Sequence, residues 1–165
     1  MVLHLWHPNS PLSHPTLTRR AFFSAEQTDA YVEAFQDRIN PYESLRWALG
    51  MMKPFANGEK VFEQISGGIA GQRLMVLAGE HDKIMTVPIM RDLAQWYRTK
   101  YNFLVRQGTL QGVDDEVVPL PGEGDQDNVG HGVRYCVVPK AGHHLQNDVT
   151  WQIGAQKLLA FYQQL

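Results

Sequence analysis

The sequence is poor in cysteine, in net charge and in long apolar runs. Cys136 is the only cysteine among 165 residues, so no internal disulfide can form. The 15 basic and 17 acidic residues give a net charge of −2, which argues against a nucleic-acid partner. No apolar run approaches the roughly 20 residues that span a bilayer, and the N-terminus lacks the basic region of a signal peptide. We therefore expect no transmembrane segment and, by default, a cytoplasmic location.

Residues 1–66 are predicted to form an irregular N-terminal segment followed by three helices. Proline, serine and threonine are frequent in residues 1–20, which is typical of irregular structure. A capping box at Ser24 is predicted to begin the first helix, and an Asn-Pro pair at Asn40 the second. The third helix is predicted around residues 59–65, before a pair of glycines.

Residues 67–165 alternate between strand-like and helix-like patterns. Apolar runs at 74–78 and 133–138 have the length and composition of buried strands, and Pro88 begins a helix with apolar residues every three or four positions. A strand–helix–strand crossover predicts two parallel strands in a sheet that helices cover on both faces. We therefore expect an α/β fold, with a long polar loop at 106–132.

The last predicted helix follows a cap at Asn147 or Asp148. One stripe of this helix is apolar every three or four residues, and we expect that stripe to face the core. It consists of Trp151, Ala155, Leu158, Tyr162 and Leu165.

Two titratable residues, Asp82 and His143, follow the two predicted strands after a glycine. Because ligands of open α/β sheets bind at the carboxyl ends of strands, a working carboxylate and imidazole are expected there. Each residue taken alone is also typical of a turn or a helix cap. Together they form a candidate catalytic pair, in which the carboxylate orients the imidazole and stabilises the imidazolium.

These two motifs resemble the acid and histidine motifs of the α/β-hydrolase family. Residues 77–82 (LAGEHD) are similar to the strand and G-x-x-D that carry the family's acid, and residues 140–148 (KAGHHLQND) to its histidine motif. The resemblance implies that Asp82 is the acid and His143 the general base, in the order nucleophile, acid, histidine. It also implies that the helical segment 21–66 is a cap, and that the substrate is an ester or a similar small apolar molecule.

The family's nucleophile elbow, G-x-S-x-G, does not occur in these 165 residues. Ser66 precedes two glycines but has no glycine two positions before it, and an oxyanion loop of the HG type is also lacking. We therefore expect the C-terminal part of a hydrolase, inactive by itself, whose full-length form uses a serine or an aspartate as nucleophile. The alternative is a non-catalytic remnant that serves as a binding or assembly module. In either case an unpaired strand edge is expected to favour self-association.

Other residues offer alternatives to this site. His144 competes with His143 as the base, but the residue directly after the glycine matches the motif better. A zinc site of His81, His131, His143 and His144 lacks the spacing of helical zinc motifs, so we expect no metal and no cofactor. Four large apolar residues of the cap segment are equally consistent with a substrate pocket and with packing of the cap. These are Trp47, Met51, Met52 and Phe55.

Overall fold

The structure is a computed structural model and describes residues 12, 14–39, 56–65, 73–112, 130 and 132–165. These residues form five α-helices, two β-strands and a short 3₁₀ turn. In chain order they are α1 (Pro15–Phe22), α2 (Asp29–Gln36), α3 (Gly58–Ile65), β1 (Leu74–Gly79), α4 (Val87–Arg106), β2 (Val133–Val138), the 3₁₀ turn Leu145–Asn147 and α5 (Trp151–Tyr162).

The two strands pair in parallel, as the sequence predicts. Leu74 lies opposite Val133 and Gly79 opposite Val138, so the strands are in register over their whole length. All of β2 is buried, whereas Leu74, Met75 and Leu77 of β1 are half-buried. The described residues thus form a mixed α/β structure around a two-stranded parallel sheet.

Helix α4 covers one face of the sheet. It begins after Thr86 and has Pro88 in its first turn, where the missing N–H of proline has no helical partner to lose. Phe62 of α3 packs onto this helix, with its ring centroid 5.5 Å from that of Tyr101. The buried cluster between α3, α4 and the sheet consists of Phe62, Val76, Ala78, Ala94, Tyr101, Leu104, Leu110, Val133, Tyr135 and Val137.

Helix α5 packs on the strand face that carries Arg134, but not with the stripe that the sequence predicts. Its buried residues are Gly154, Lys157 and Phe161. The prediction was wrong because this face is not purely apolar: the buried Arg134 guanidinium lies 5.8 Å from the centre of the Phe161 ring. Gly154 also brings the helix close to Val138. The exposed fractions of the predicted stripe are 49% for Trp151, 56% for Leu158, 71% for Tyr162 and 49% for Leu165, and Ala155 is exposed as well.

The predicted caps of two helices are wrong. Helix α2 begins after Thr28, whose hydroxyl accepts a hydrogen bond from a backbone amide of the first turn at 3.3 Å. Ser24 does not cap it, because the Ser24 hydroxyl binds Asp148 instead. The N-cap residue of α5 is Thr150, neither Asn147 nor Asp148. Both errors have one cause, since the polar side chains expected to cap a neighbouring helix bind distant parts of the chain.

The N-terminal segment is helical where the sequence predicts irregular structure. Pro15 occupies the first helical position of α1, and His14 Nδ1 accepts a hydrogen bond from Thr16 N at 3.2 Å. Proline at the first position favours helix initiation, because its fixed φ suits the helix. The prediction for residues 1–20 is therefore wrong from Pro15 onward.

Several predictions concern residues that the structure does not describe. Of the predicted loop at 106–132, Arg106 completes α4, and residues 107–112 contain no helix or strand. The division into residues 1–66 and 67–165 stays a prediction. Within the described ranges, no helix combines the length and the apolar character needed to cross a membrane. Outside the described residues lie the helix predicted from Asn40, the residues Trp47, Met51, Met52 and Phe55, the glycines after α3, Ser66, and residues 113–129 and 131 of the loop.

Candidate active site

The carboxyl ends of β1 and β2 bring Asp82 and His143 together. Because the strands are parallel and in register, the segments that follow them leave the sheet at the same end. His143 Nδ1 lies 2.9 Å from Asp82 Oδ2, a normal hydrogen-bond distance. The predicted contact between these side chains is confirmed, and their catalytic role stays a prediction.

Two glycines allow this close approach. A Cβ atom at Gly79 would lie 2.4 Å from the carbonyl oxygen of Gly142, and one at Gly142 would lie 2.6 Å from the carbonyl carbon of Phe23. The obstructing atoms belong to the backbone, so no side-chain rotation would relieve the overlap. The glycine before each titratable residue therefore permits the two turns and the end of α1 to pack against one another.

Asp82 uses its two carboxylate oxygens for two tasks. Oδ1 accepts hydrogen bonds from the amides of Ile84 and Met85, each at 2.8 Å, and shapes the turn before α4. Oδ2 binds His143. Asp82 therefore both stabilises the turn before α4 and binds His143, although the sequence presents these two functions as alternatives.

The pKa of the Asp82 carboxyl lies below its ordinary value of 3.8. Burial by itself raises this pKa, and only 6% of the side chain is exposed. The hydrogen bonds from His143, Met85 and Ile84, together with the positive charge of His143, outweigh burial and lower it. Asp82 is therefore ionised at neutral pH.

The pKa of His143 is shifted in the opposite direction. The hydrogen bond to Asp82 raises it above the ordinary 6.5, burial opposes the rise, and the negative charge of Asp82 adds to it. An ionised carboxylate accepts only, so the neutral imidazole carries its proton on Nδ1 and leaves the Nε2 lone pair available. No group among the described residues hydrogen-bonds to Nε2, and the side chain is 33% exposed. His143 therefore has the tautomer and the access that a general base needs.

His144, the alternative base, has a different environment. Its Nδ1 lies 2.7 Å from Asn147 Nδ2, and its ring packs against Phe35 at a centroid distance of 4.9 Å. Burial lowers the pKa of His144, as does the nearby His143, while Asp148 opposes the shift. The structure thus brings His143, not His144, to the carboxylate.

The support of the histidine turn by α1 and Asp148 is not predicted from the sequence. Asp148 binds both Ser24 and Gly142, and the amide of His144 donates to Phe22 O at 2.8 Å. The only signal in the sequence was an aspartate five positions after His143, which we interpreted as a helix cap.

A cleft of about 400 Å³ lies beside Asp82. Ser24 is the one serine among the described residues, and its hydroxyl donates to Asp148 at 2.6 Å. No group of three potential ligands in the described part of the chain could hold a metal ion; His81 is exposed there, and His131 lies outside it. The cleft is lined by Ser24, Ala25, Glu80, His81, Asp82 and Lys83.

Comparisons of this chain with protein-family models, with curated protein sequences and with solved structures give no match.

Proposed function

We propose that Asp82 and His143 are the acid and the general base of an α/β-hydrolase-type active site that cleaves an ester or a similar small apolar substrate. The observation that supports this most directly is the 2.9 Å hydrogen bond between His143 Nδ1 and Asp82 Oδ2 at the carboxyl ends of adjacent parallel strands. A buried, ionised carboxylate on one ring nitrogen, with the other nitrogen accessible, is the arrangement that general-base catalysis by histidine requires.

In the proposed reaction with a hydroxyl nucleophile, His143 Nε2 removes the hydroxyl proton as the oxygen attacks the carbonyl carbon. The imidazolium then gives this proton to the leaving alcohol as the bond between the acyl carbon and the alcohol oxygen breaks, and water deprotonated by Nε2 later hydrolyses the acyl-enzyme. With an aspartate nucleophile, Nε2 deprotonates the water that hydrolyses the ester intermediate. Asp82 stays ionised throughout, because its lowered pKa keeps the proton on the imidazole. The nucleophile is not assigned to a residue of this sequence, which contains no G-x-S-x-G.

The environment of Ser24 favours a second candidate function, a non-catalytic binding or assembly module. Its hydroxyl is the only serine hydroxyl that the described residues place at the cleft, and its bond to Asp148 makes it structural. In this case the Asp82–His143 pair joins the two strand ends and contributes to stability alone.

Ester hydrolysis distinguishes the two candidates. The protein encoded by the longest open reading frame that contains this sequence would be assayed with p-nitrophenyl butyrate. For the enzyme, we expect His143→Ala and Asp82→Asn each to lower kcat/KM by on the order of 10³-fold or more. His144→Ala is the matched control and is expected to change kcat/KM by only a few-fold. An active protein that is insensitive to His143→Ala would refute the proposed base. A folded protein without activity above buffer would favour the binding module.

A further inference from the structure

We propose that Asp148 is a positioning residue that holds the His143 imidazole against Asp82 by fixing the backbone next to His143. Its relevance to catalysis rests on the proposed function, but the geometric claim concerns the pair itself.

Asp148 is a buried carboxylate with only 1% of its surface exposed. Its Oδ2 accepts hydrogen bonds from Gly142 N at 2.7 Å and Ser24 N at 2.8 Å. Its Oδ1 accepts from Ser24 Oγ at 2.6 Å and from Val149 N at 2.8 Å. Four donors therefore surround one buried charge, and hydrogen bonds to an ionised acceptor are stronger than neutral ones.

The backbone near His143 is held at Gly142 N, through Asp148 and Ser24, and at His144 N, by Phe22 at the end of α1. The Gly142 N–H binds Asp148, which also binds Ser24, two residues beyond α1. The His144 N–H donates to Phe22 O at 2.8 Å. The Phe22 ring adds a contact to the imidazole, with a centroid distance of 5.9 Å.

The imidazole needs this backbone support. Among the described residues its one hydrogen bond is the contact to Asp82, and a third of the side chain is exposed. Asp82 is fixed independently by the amides of Ile84 and Met85. The distance between the two side chains therefore depends on where the backbone places His143. Loss of the Asp148–Gly142 bond removes one of the backbone bonds that set this position, while the bonds from His144 N to Phe22 O and from His81 N to Ala141 O remain.

Three substitutions separate positioning from charge and from stability. Asp148→Ala and Asp148→Asn both remove the charge. Asparagine keeps an oxygen that can accept from Gly142 N and Ser24 N, and its NH₂ group can donate to Ser24 Oγ if that hydroxyl rotates, but the bond from Val149 N is lost. Ser24→Ala removes one hydrogen bond to Asp148 and leaves the bond to Gly142. A merely structural role predicts lower stability without any change at the His143 ring.

NMR of the imidazole nitrogens and of the Nδ1 proton measures the pair directly. In the wild-type protein we expect His143 to titrate above 6.5 and to show a hydrogen-bonded Nδ1 proton. Asp148→Ala is expected to move the His143 titration toward 6.5 and to abolish the Nδ1 proton signal. Asp148→Asn should retain the signal with a smaller shift, and Ser24→Ala should leave both unchanged.

Equal titration of His143 in the folded alanine and asparagine variants would overturn the proposal, because charge alone would then explain the change. If Asp148→Ala does not fold, Asp148→Glu is measured in its place. Glutamate keeps the charge but moves the carboxylate by one methylene. An unchanged His143 Nδ1 proton signal in Asp148→Glu would contradict the proposal. A wild-type His143 that titrates at or below 6.5 would instead refute the Asp82–His143 pair on which the proposed function rests.

Discussion

Replacement of Asp82 by asparagine is expected to destabilise the protein in a pH-dependent way. The pKa of His143 is raised in the folded state. Its contribution to the free energy of unfolding is therefore fully present below pH 6.5 and is lost as the pH rises through the folded-state pKa. The pKa of Asp82 is lowered in the folded state. Its contribution to the free energy of unfolding is therefore present above pH 3.8 and is lost as the pH falls through the folded-state pKa. The pair therefore stabilises the fold most between pH 3.8 and pH 6.5.

The magnitude follows from the contacts that asparagine keeps and loses. Its amide oxygen can still accept from Ile84 N and Met85 N, so the turn before α4 is retained. Its NH₂ group would face His143 Nδ1, and the charged hydrogen bond is lost. Such a bond contributes about 1.5–3 kcal/mol, and solvent screening of the partly exposed His143 reduces this to about 1–2 kcal/mol. The loss in the free energy of unfolding should therefore be about 1–2 kcal/mol at pH 5 and clearly smaller at pH 9.

Urea unfolding of the wild-type protein and of Asp82→Asn at pH 5 and pH 9 measures this difference. Asp92→Asn, an exposed aspartate of α4, is the matched control and should change the free energy of unfolding little at either pH. A loss for Asp82→Asn that is equal at the two pH values, or greater at pH 9, would show that the charged Asp82–His143 hydrogen bond does not stabilise the fold.

Three further predictions concern packing and association. Phe62→Ala should lower the free energy of unfolding by about 3–5 kcal/mol because the ring is fully buried, whereas the exposed Ile65 of the same helix should tolerate alanine in the same urea titration. Gly142→Ala should cost about 1–3 kcal/mol in thermal unfolding, because its Cβ would overlap the Phe23 backbone, and a wild-type transition would argue against the close packing. The chain should self-associate, as measured by size-exclusion chromatography with light scattering. Leu158→Glu, on the exposed face of α5, should weaken the self-association, and a monomeric wild-type protein would contradict the prediction.

The sequence determines the elements that place the candidate site. The apolar runs at 74–78 and 133–138 and the periodic helix between them carry strong local signals, and both strands and α4 occur where these signals predict them. Since the connection predicts parallel strands, it also places Asp82 and His143 at one end of the sheet. Their contact could be predicted for this reason, although the two residues are 61 positions apart.

The support of the site and the buried side of α5 depend on contacts between distant parts of the chain. The Ser24–Asp148 bond joins residues 124 positions apart, and no local pattern in the chain indicates it. Both side chains are good helix caps by local criteria, but a buried carboxylate that binds four donors gains more from distant partners than from one cap. The periodicity of α5 likewise could not show its buried side, because that depends on Arg134, which the sheet turns toward Phe161. Helical periodicity is a property of the segment, whereas the choice of face depends on the surface against which the segment packs.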